Sequence, residues 1–263
     1  MAGNHTGMTQ PTPAARGPAS RTVLLIGAAV VVAILILAMI AAIASRVLLR
    51  SDGPDRAHRA DRVVTVPVDG RQEATFELVS GATSVTVRGA DLGDRLIRAE
   101  TPADSRQAPS ATVSGDRVQL HLQDVGGDGP SAVEVQLNRG VRWQLRFSAG
   151  ATTSVVDLRD VPVAGVEFVG GMSSIELRLP KPSGTVPVRM SGGVGRFAIQ
   201  APAGVPVRVR AGGGAGQVTV DGVPRSGISG GTVITPEGWD SAPARYDVDN
   251  SAGVATLTVD HPS

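Results

Sequence analysis

The sequence predicts an all-β domain, a β-solenoid (β-helix-like) stack of about 21-residue strand–Gly turn–strand repeats, preceded by one transmembrane α-helix. Three observations lead there. Apolar residues alternate with polar ones at a period of two over most of the chain after Val63, as in VRWQLRF, Val141 to Phe147. Glycine clusters such as SGGVG (Ser191 to Gly195) recur between strand-like runs at a regular interval. One uninterrupted apolar run, VLLIGAAVVVAILILAMIAAIA, sits near the start.

Residues 1–21 are rich in Pro, Gly and Thr and carry too little apolar surface to fold, so they read as a disordered tail. Residues 22–45 hold the apolar run. Val23 to Ala44 are 22 residues without a charge between Arg21 and Arg46. At about 1.5 Å per residue they make a helix of about 33 Å, enough for a hydrocarbon core of about 30 Å. Ala42-Ile43-Ala44 also has the form of a signal-peptide cleavage site, but the run exceeds the usual h-region, so an uncleaved single-pass anchor in the cell membrane is expected. Arg16 and Arg21 precede the run and Arg46, Arg50, Arg56, Arg59 and Arg62 follow it, a count that by itself keeps the large domain in the cytoplasm. One N-terminal helix before a cysteine-free, Gly- and Thr-rich β domain is instead a common envelope layout. Placement of the C-terminal domain outside the cytoplasm is therefore the expectation. Residues 46–62 alternate Arg and Asp around Gly53-Pro54 and read as a charged linker.

Residues 63–263 form the β-repeat domain. In VRWQLRF, Val141, Trp143, Leu145 and Phe147 point one way, and Arg142, Gln144 and Arg146 the other. Val186, Val188 and Met190 make a second apolar row and Val205, Val207 and Val209 a third, with Arg189, Arg208 and Arg210 outward. Each such strand leads through a glycine turn into a second one: VVDLR from Val155, IELRLP from Ile175, FAIQAP from Phe197 and VTVDG from Val218. Val156, Ile175, Phe197 and Val218 are then 19, 22 and 21 residues apart. Phe76 to Gly89 and Tyr246 to Asp260 have the same design. Hairpins folded into a sandwich give similar turn spacing and remain the competing architecture.

The turns decide between a binding loop and a corner. Gly150, Gly171, Gly193, Gly214 and Gly253 are assigned as structural turn residues. A phosphate loop needs Gly-Lys-Ser/Thr opening a helix, whereas Gly193-Val194-Gly195 runs through Arg196 into the strand FAIQ. The calcium-binding nonapeptide starts with similar glycines, but Phe197 stands where its ligand aspartate belongs. Glycine at a corner needs only positive φ or close approach of neighbouring coils, and both are expected at Gly193.

Chemistry elsewhere is sparse. With no cysteine, thiolate metal sites and Cys nucleophiles are excluded. A net charge of +1 gives no reason to expect a nucleic-acid partner. His5, His58, His121 and His261 lie at no metal-ligand spacing and read as solvated. Asp157 and Glu176 take outward strand positions on neighbouring repeats. A carboxylate pair on a solenoid face serves polysaccharide cleavage, yet Arg159 and Arg178 beside them favour a ladder of opposite charges. Trp143 is assigned to the core, and Trp239 to a seal on the last coil, with sugar stacking by Trp239 and Tyr246 as the alternative. No catalytic residue, cofactor or metal is expected.

The segments SAGATTSVVDLRDVPV, VGGMSSIELRLPKPSGTVPVRM and SGGVGRFAIQAPAGVPVRV, with WDSAPARYDVDNSAGVATLTV near the end, resemble the C-terminal domain of the LiaF-type cell-wall-active antibiotics response family and related adhesin-like (DUF4097-like) bacterial β-repeats. That resemblance implies a membrane-associated regulator of envelope stress acting through a sensor kinase, and it brings no catalytic residues. The single helix here departs from that family's several. The expected function is a non-enzymatic, membrane-anchored β-repeat protein working by protein contact, with a module for cell-wall glycans or a degenerate polysaccharide-active β-helix as the alternative.

Overall fold

The computed structural model describes residues 61–262. The tail, the apolar run Val23 to Ala44 and nearly all of the linker lie outside the described residues. Arg62, at the linker's end, is tied into the fold: its carbonyl accepts from the Thr101 amide at 2.9 Å and its guanidinium donates to the Gln107 carbonyl at 2.7 Å.

The described residues contain nineteen strands and no helix. They run β1 (Val63–Pro67), β2 (Glu73–Leu78), β3 (Ala82–Ala90), β4 (Arg95–Glu100), β5 (Gln107–Ser114), β6 (Arg117–Asp124) and β7 (Ala132–Asn138). There follow β8 (Arg142–Phe147), β9 (Ala151–Asp157), β10 (Val163–Phe168), β11 (Met172–Arg178), β12 (Thr185–Met190) and β13 (Val194–Gln200). The last are β14 (Val207–Ala211), β15 (Ala215–Val220), β16 (Val223–Ile228), β17 (Thr232–Ile234), β18 (Arg245–Asn250) and β19 (Val254–Asp260).

Two open sheets result. A ten-stranded sheet has the order β1-β4-β7-β3-β9-β11-β13-β19-β15-β16, and a nine-stranded sheet the order β17-β14-β18-β12-β10-β8-β2-β6-β5. Pairing is parallel from β7 to β15 in the first and from β14 to β6 in the second, and the outermost strands join antiparallel. Each coil gives one strand to the nine-stranded sheet, turns a corner, and gives the next to the ten-stranded sheet. Inward side chains of both sheets share one apolar core. Along it, Phe147 and Phe168 stack with ring centroids 4.8 Å apart, flanked edge-on by Phe76 and Phe197.

Three differences from the sequence reading are physical in origin. The second strands start immediately after the corner glycines, so β11 begins at Met172, earlier than Ile175, because so tight a corner leaves no connecting residues. The apolar count is two residues out of register at one step, since Leu177, not Ile175, pairs with Val156. Ile175 pairs with Ser154, a fully buried serine whose hydroxyl lies 3.4 Å from Met172 Sδ, and a polar residue in an inward position hides the column. Finally, the stack does not follow chain order. Coil β18–β19 lies between β12–β13 and β14–β15, and coil β2–β3 lies between β6–β7 and β8–β9.

Candidate functional site

Gly150 lies between β8 and β9, Gly171 between β10 and β11, Gly193 between β12 and β13, Gly214 between β14 and β15, and Gly253 between β18 and β19. Of the five, only Gly214 has positive φ, at 82°. At Gly193 a Cβ would find its nearest neighbour, the Gly253 carbonyl oxygen, at an easy 3.9 Å. A Cβ on Gly150 or Gly214 would crowd the carbonyl oxygens of Gly171 and Ile228, at 2.7 and 2.9 Å, and after the first corner the tightest approaches fall one residue earlier. A Cβ on Gly170 would sit 2.2 Å from the Ala149 carbonyl carbon, one on Gly192 2.5 Å from that of Gly170, and one on Gly213 2.4 Å from that of Ala252. Successive corners thus rest backbone on backbone. Their amides are in use as well: Met172 N–H donates to the Gly193 carbonyl at 3.0 Å and Val194 N–H to that of Gly253 at 3.3 Å. An anion cradle needs free amides converging on one point, and the Met172 and Val194 amides are already bonded to the neighbouring corners.

Asp157 and Glu176 come together on the outer face of the ten-stranded sheet, each bound to arginine. Arg159 grips Asp157 through Nε at 2.9 Å and a terminal nitrogen at 2.6 Å, while Arg178 reaches Asp157 at 3.2 Å and Glu176 at 2.5 Å. Hydrogen bonds from Arg159, supported by Arg178, hold the Asp157 carboxyl below its usual range. A glycosidase acid requires the opposite shift.

The sequence reading missed Glu77. It lies between inward Phe76 and Leu78, only 7% exposed, and accepts from Ser148 Oγ at 2.6 Å and Gln119 Nε2 at 3.0 Å, with Arg117 and Arg146 at 3.4 and 3.5 Å. The Ser148 bond, then the Gln119 bond, lower its pKa against the opposing effect of burial. Glu77 is one member of a row across the nine-stranded sheet. In register from β6 to β14 stand Gln119, Glu77, Arg146, Glu167, Arg189, Asp249 and Arg210, six charges of alternating sign. Arg146 and Glu167 make the tightest pair in it. Strict alternation of charge is visible only once the strands are placed side by side.

Residues 55–200 match the family model of the N-terminal domain of toast_rack, DUF2154. The chain belongs to the toast_rack family. The match ends with β13, so β14 to β19 lie beyond it. The match agrees with the LiaF-type resemblance and carries it over strands before Arg142. No curated protein matches the chain. Among solved structures, a candidate cell adhesion protein from Clostridium sporogenes is similar with a TM-score of 0.59 and 16% identity over 76% of this chain and 98% of that one. A candidate adhesin from Bacteroides fragilis covers the same shares at 10% identity with a TM-score of 0.27, too loose a fit to support an inference. These likenesses concern the fold.

Around the toast_rack stack the aromatic side chains are withdrawn from solvent. All seven, Phe76, Trp143, Phe147, Phe168, Phe197, Trp239 and Tyr246, are buried. Trp143 is a core residue whose Nε1 donates to the Asn138 carbonyl at 2.9 Å. Trp239 belongs to the loop between β17 and β18. It lies between the Arg208 and Arg245 guanidinium groups, 3.7 and 4.2 Å from its ring, beside β14 and β18, and its Nε1 donates to the Tyr246 carbonyl at 3.1 Å. With two guanidinium groups on the ring and only 5% of the residue exposed, no sugar can stack on it. Tyr246 faces inward and donates its hydroxyl to the Pro180 carbonyl at 2.7 Å, and burial pushes its pKa up.

A cleft of about 490 Å³ opens beside this loop, walled by Val205, Pro206, Val220 and Pro236, with Asp221, Glu237 and His261 at its polar side. His261 is not merely solvated: Nε2–H donates to the Val205 carbonyl at 2.8 Å and Nδ1 lies 2.5 Å from Asp221. Its ring thereby fastens the last described residues to the wall and is committed to that task. Among the described residues no cluster of three His, Cys, Asp or Glu has metal-binding geometry.

Proposed function

We propose that this toast_rack chain is a non-enzymatic β-solenoid scaffold of the bacterial envelope. On this reading Val23 to Ala44 anchors it in the membrane, the β domain stands outside the cytoplasm, and its faces modulate envelope-stress signalling by contacting a membrane protein such as a sensor kinase. The observation that carries the reading is the mutual pairing of the surface charges: Asp157, Glu176, Glu77 and Glu167 each meet arginine, which leaves a firm, ordered surface rather than a reactive one. The family match and the shared fold with a candidate cell adhesion protein support a β-repeat scaffold. The glycan alternative needs an exposed aromatic platform, and the aromatic residues are all spent in the interior or between arginines.

The test has two arms. In intact cells, a membrane-impermeant thiol reagent should label Ser114→Cys, an exposed position at the end of β5 in a chain without native cysteine; labelling only after lysis would put the domain inside. Deleting the gene should change the output of a sensor-kinase reporter under a wall-targeting antibiotic, and the full chain should restore it. An unchanged reporter would defeat the signalling role.

A further inference from the structure

Chain order alone would lay β14–β15 directly on β12–β13, yet β18–β19 occupies the place between them. Two rows of the core do not dictate this, although Tyr246, in the row between Val186 and Val207, also binds the Pro180 carbonyl ahead of β12 at 2.7 Å. Val188, Val248 and Val209 form one inward row across β12, β18 and β14, and Ile199, Val259 and Val220 another across β13, β19 and β15. Similar β-branched side chains fill both rows, so within them either order buries a comparable apolar surface. The outer face of the ten-stranded sheet is equally permissive, since Ala198, Thr258 and Thr219 share a row without charge.

The outer face of the nine-stranded sheet is not permissive. Chain order would set Arg189 of β12 beside Arg210 of β14, like charges at directly paired positions, which is unfavourable. In the observed order Asp249 stands between them, in register with both. Two residues earlier, Asp247 of β18 binds Arg208 of β14 through both carboxylate oxygens, at 2.9 and 2.6 Å. The strand inserted last in the chain therefore brings an acidic residue to each of two rows in which β14 offers arginine.

We propose that the alternating charges of this row assign the coils their places, and that β18–β19 is a closing coil directed by Asp247 and Asp249 into the slot between β12–β13 and β14–β15. The attachment of β14 to β17 to the rest of the domain then depends on the arrival of β18, its corner and β19, Arg245 to Asp260.

The full cysteine-free chain permits a direct test. Ala198→Cys with Thr258→Cys reports β13 beside β19, paired positions in the structure. Ala198→Cys with Thr219→Cys reports β13 beside β15, which here are two strand spacings apart, about 9.6 Å and too far for a disulfide. After refolding under thiol–disulfide exchange, the first pair should link and the second should not. Adding Asp249→Arg should lower the 198–258 yield about tenfold by turning two attractive neighbours into repulsive ones. Restoring alternation around the new arginine with Arg189→Glu and Arg210→Glu, plus Glu167→Gln to remove a like neighbour, should recover it. A full yield in Asp249→Arg overturns the proposal, as does a yield that falls but is not recovered, which would mark Asp249 as a packing residue only.

Discussion

Gly192 and Gly193 are adjacent at the same corner, and the structure predicts opposite responses to alanine. A Cβ on Gly192 would lie 2.5 Å from the Gly170 carbonyl carbon, 2.6 Å from its oxygen and 2.7 Å from the Gly171 nitrogen. Contacts under 3.0 Å do not persist and ordinary contact begins at 3.4 Å, so the neighbouring corner must retreat by 0.5 to 0.9 Å (3.0 or 3.4 less 2.5). All three atoms are backbone, and the spacing they would have to change is held by bonds such as Ser191 N–H to the Phe168 carbonyl at 2.9 Å. Overpacking of this kind costs about 1–3 kcal/mol, and a rigid obstacle puts Gly192→Ala toward the upper end. Gly193 has neither obstacle nor positive φ. Alanine there restricts the unfolded chain and should stabilise by about 0.4–1 kcal/mol. The two variants should differ by about 2–4 kcal/mol, or roughly 4–16 °C in Tm for a domain of this size. Thermal and urea melts followed by circular dichroism measure it. If Gly192→Ala melts with the wild type, or Gly193→Ala is the weaker of the two, stacked backbone is not what these corners require glycine for.

Leu177→Ala, which empties a fully buried position in β11, should cost about 2–5 kcal/mol in urea melts, whereas Arg178→Ala beside it, removing partly exposed pairs with Asp157 and Glu176, should stay within about 1 kcal/mol. Glu77→Gln should cost about 1–3 kcal/mol at neutral pH. Because the folded pKa of Glu77 is depressed, its stabilisation is present above the unfolded value of 4.5 and is lost as pH falls through the folded one, so the two proteins should converge in melts taken progressively below pH 4.5. Asn250 is fully buried and its amide nitrogen and oxygen have no hydrogen-bond partner among the described residues, in a row it shares with Met190 and Ala211. Asn250→Val should therefore raise stability by about 1–3 kcal/mol in thermal melts, and a fall would mean that the amide is satisfied in solution.

The strands were legible because a two-faced β-strand writes its burial into every second residue. Val141 to Phe147 and Val186 to Met190 could be assigned from alternation alone, and the corner glycines from their recurrence. What alternation cannot register is a polar residue facing inward, and Ser154 displaced the repeat by two. Glycine identity likewise does not say whether φ or space is at stake, which is why the constraint belongs to Gly192 rather than Gly193. Glu77 escaped notice for a different reason. Its partners Ser148, Gln119, Arg117 and Arg146 come from β6, β8 and the corner after β8, so its network exists only after folding.

Spatial order was hidden by the repeat itself. Phe197, Leu257 and Val218 occupy one inward row, and counting from Phe197 to Val218 finds a sound interval of 21 residues although Leu257 stands between them. A stack of equivalent coils makes any coil an acceptable apolar neighbour for any other, so periodicity identifies members of a row without identifying neighbours. Neighbours must be distinguished by residues that differ from coil to coil. In the nine-stranded sheet those are the outward charges, and Glu77, Arg146, Glu167, Arg189, Asp249 and Arg210 alternate only when β18 is inserted out of turn. Apart from those of buried Glu77, such pairs contribute little each, about 0.2–1 kcal/mol. Where rows of the core would pack alike in either arrangement, a difference of that size repeated over several positions adds to the buried Tyr246–Pro180 bond in selecting one.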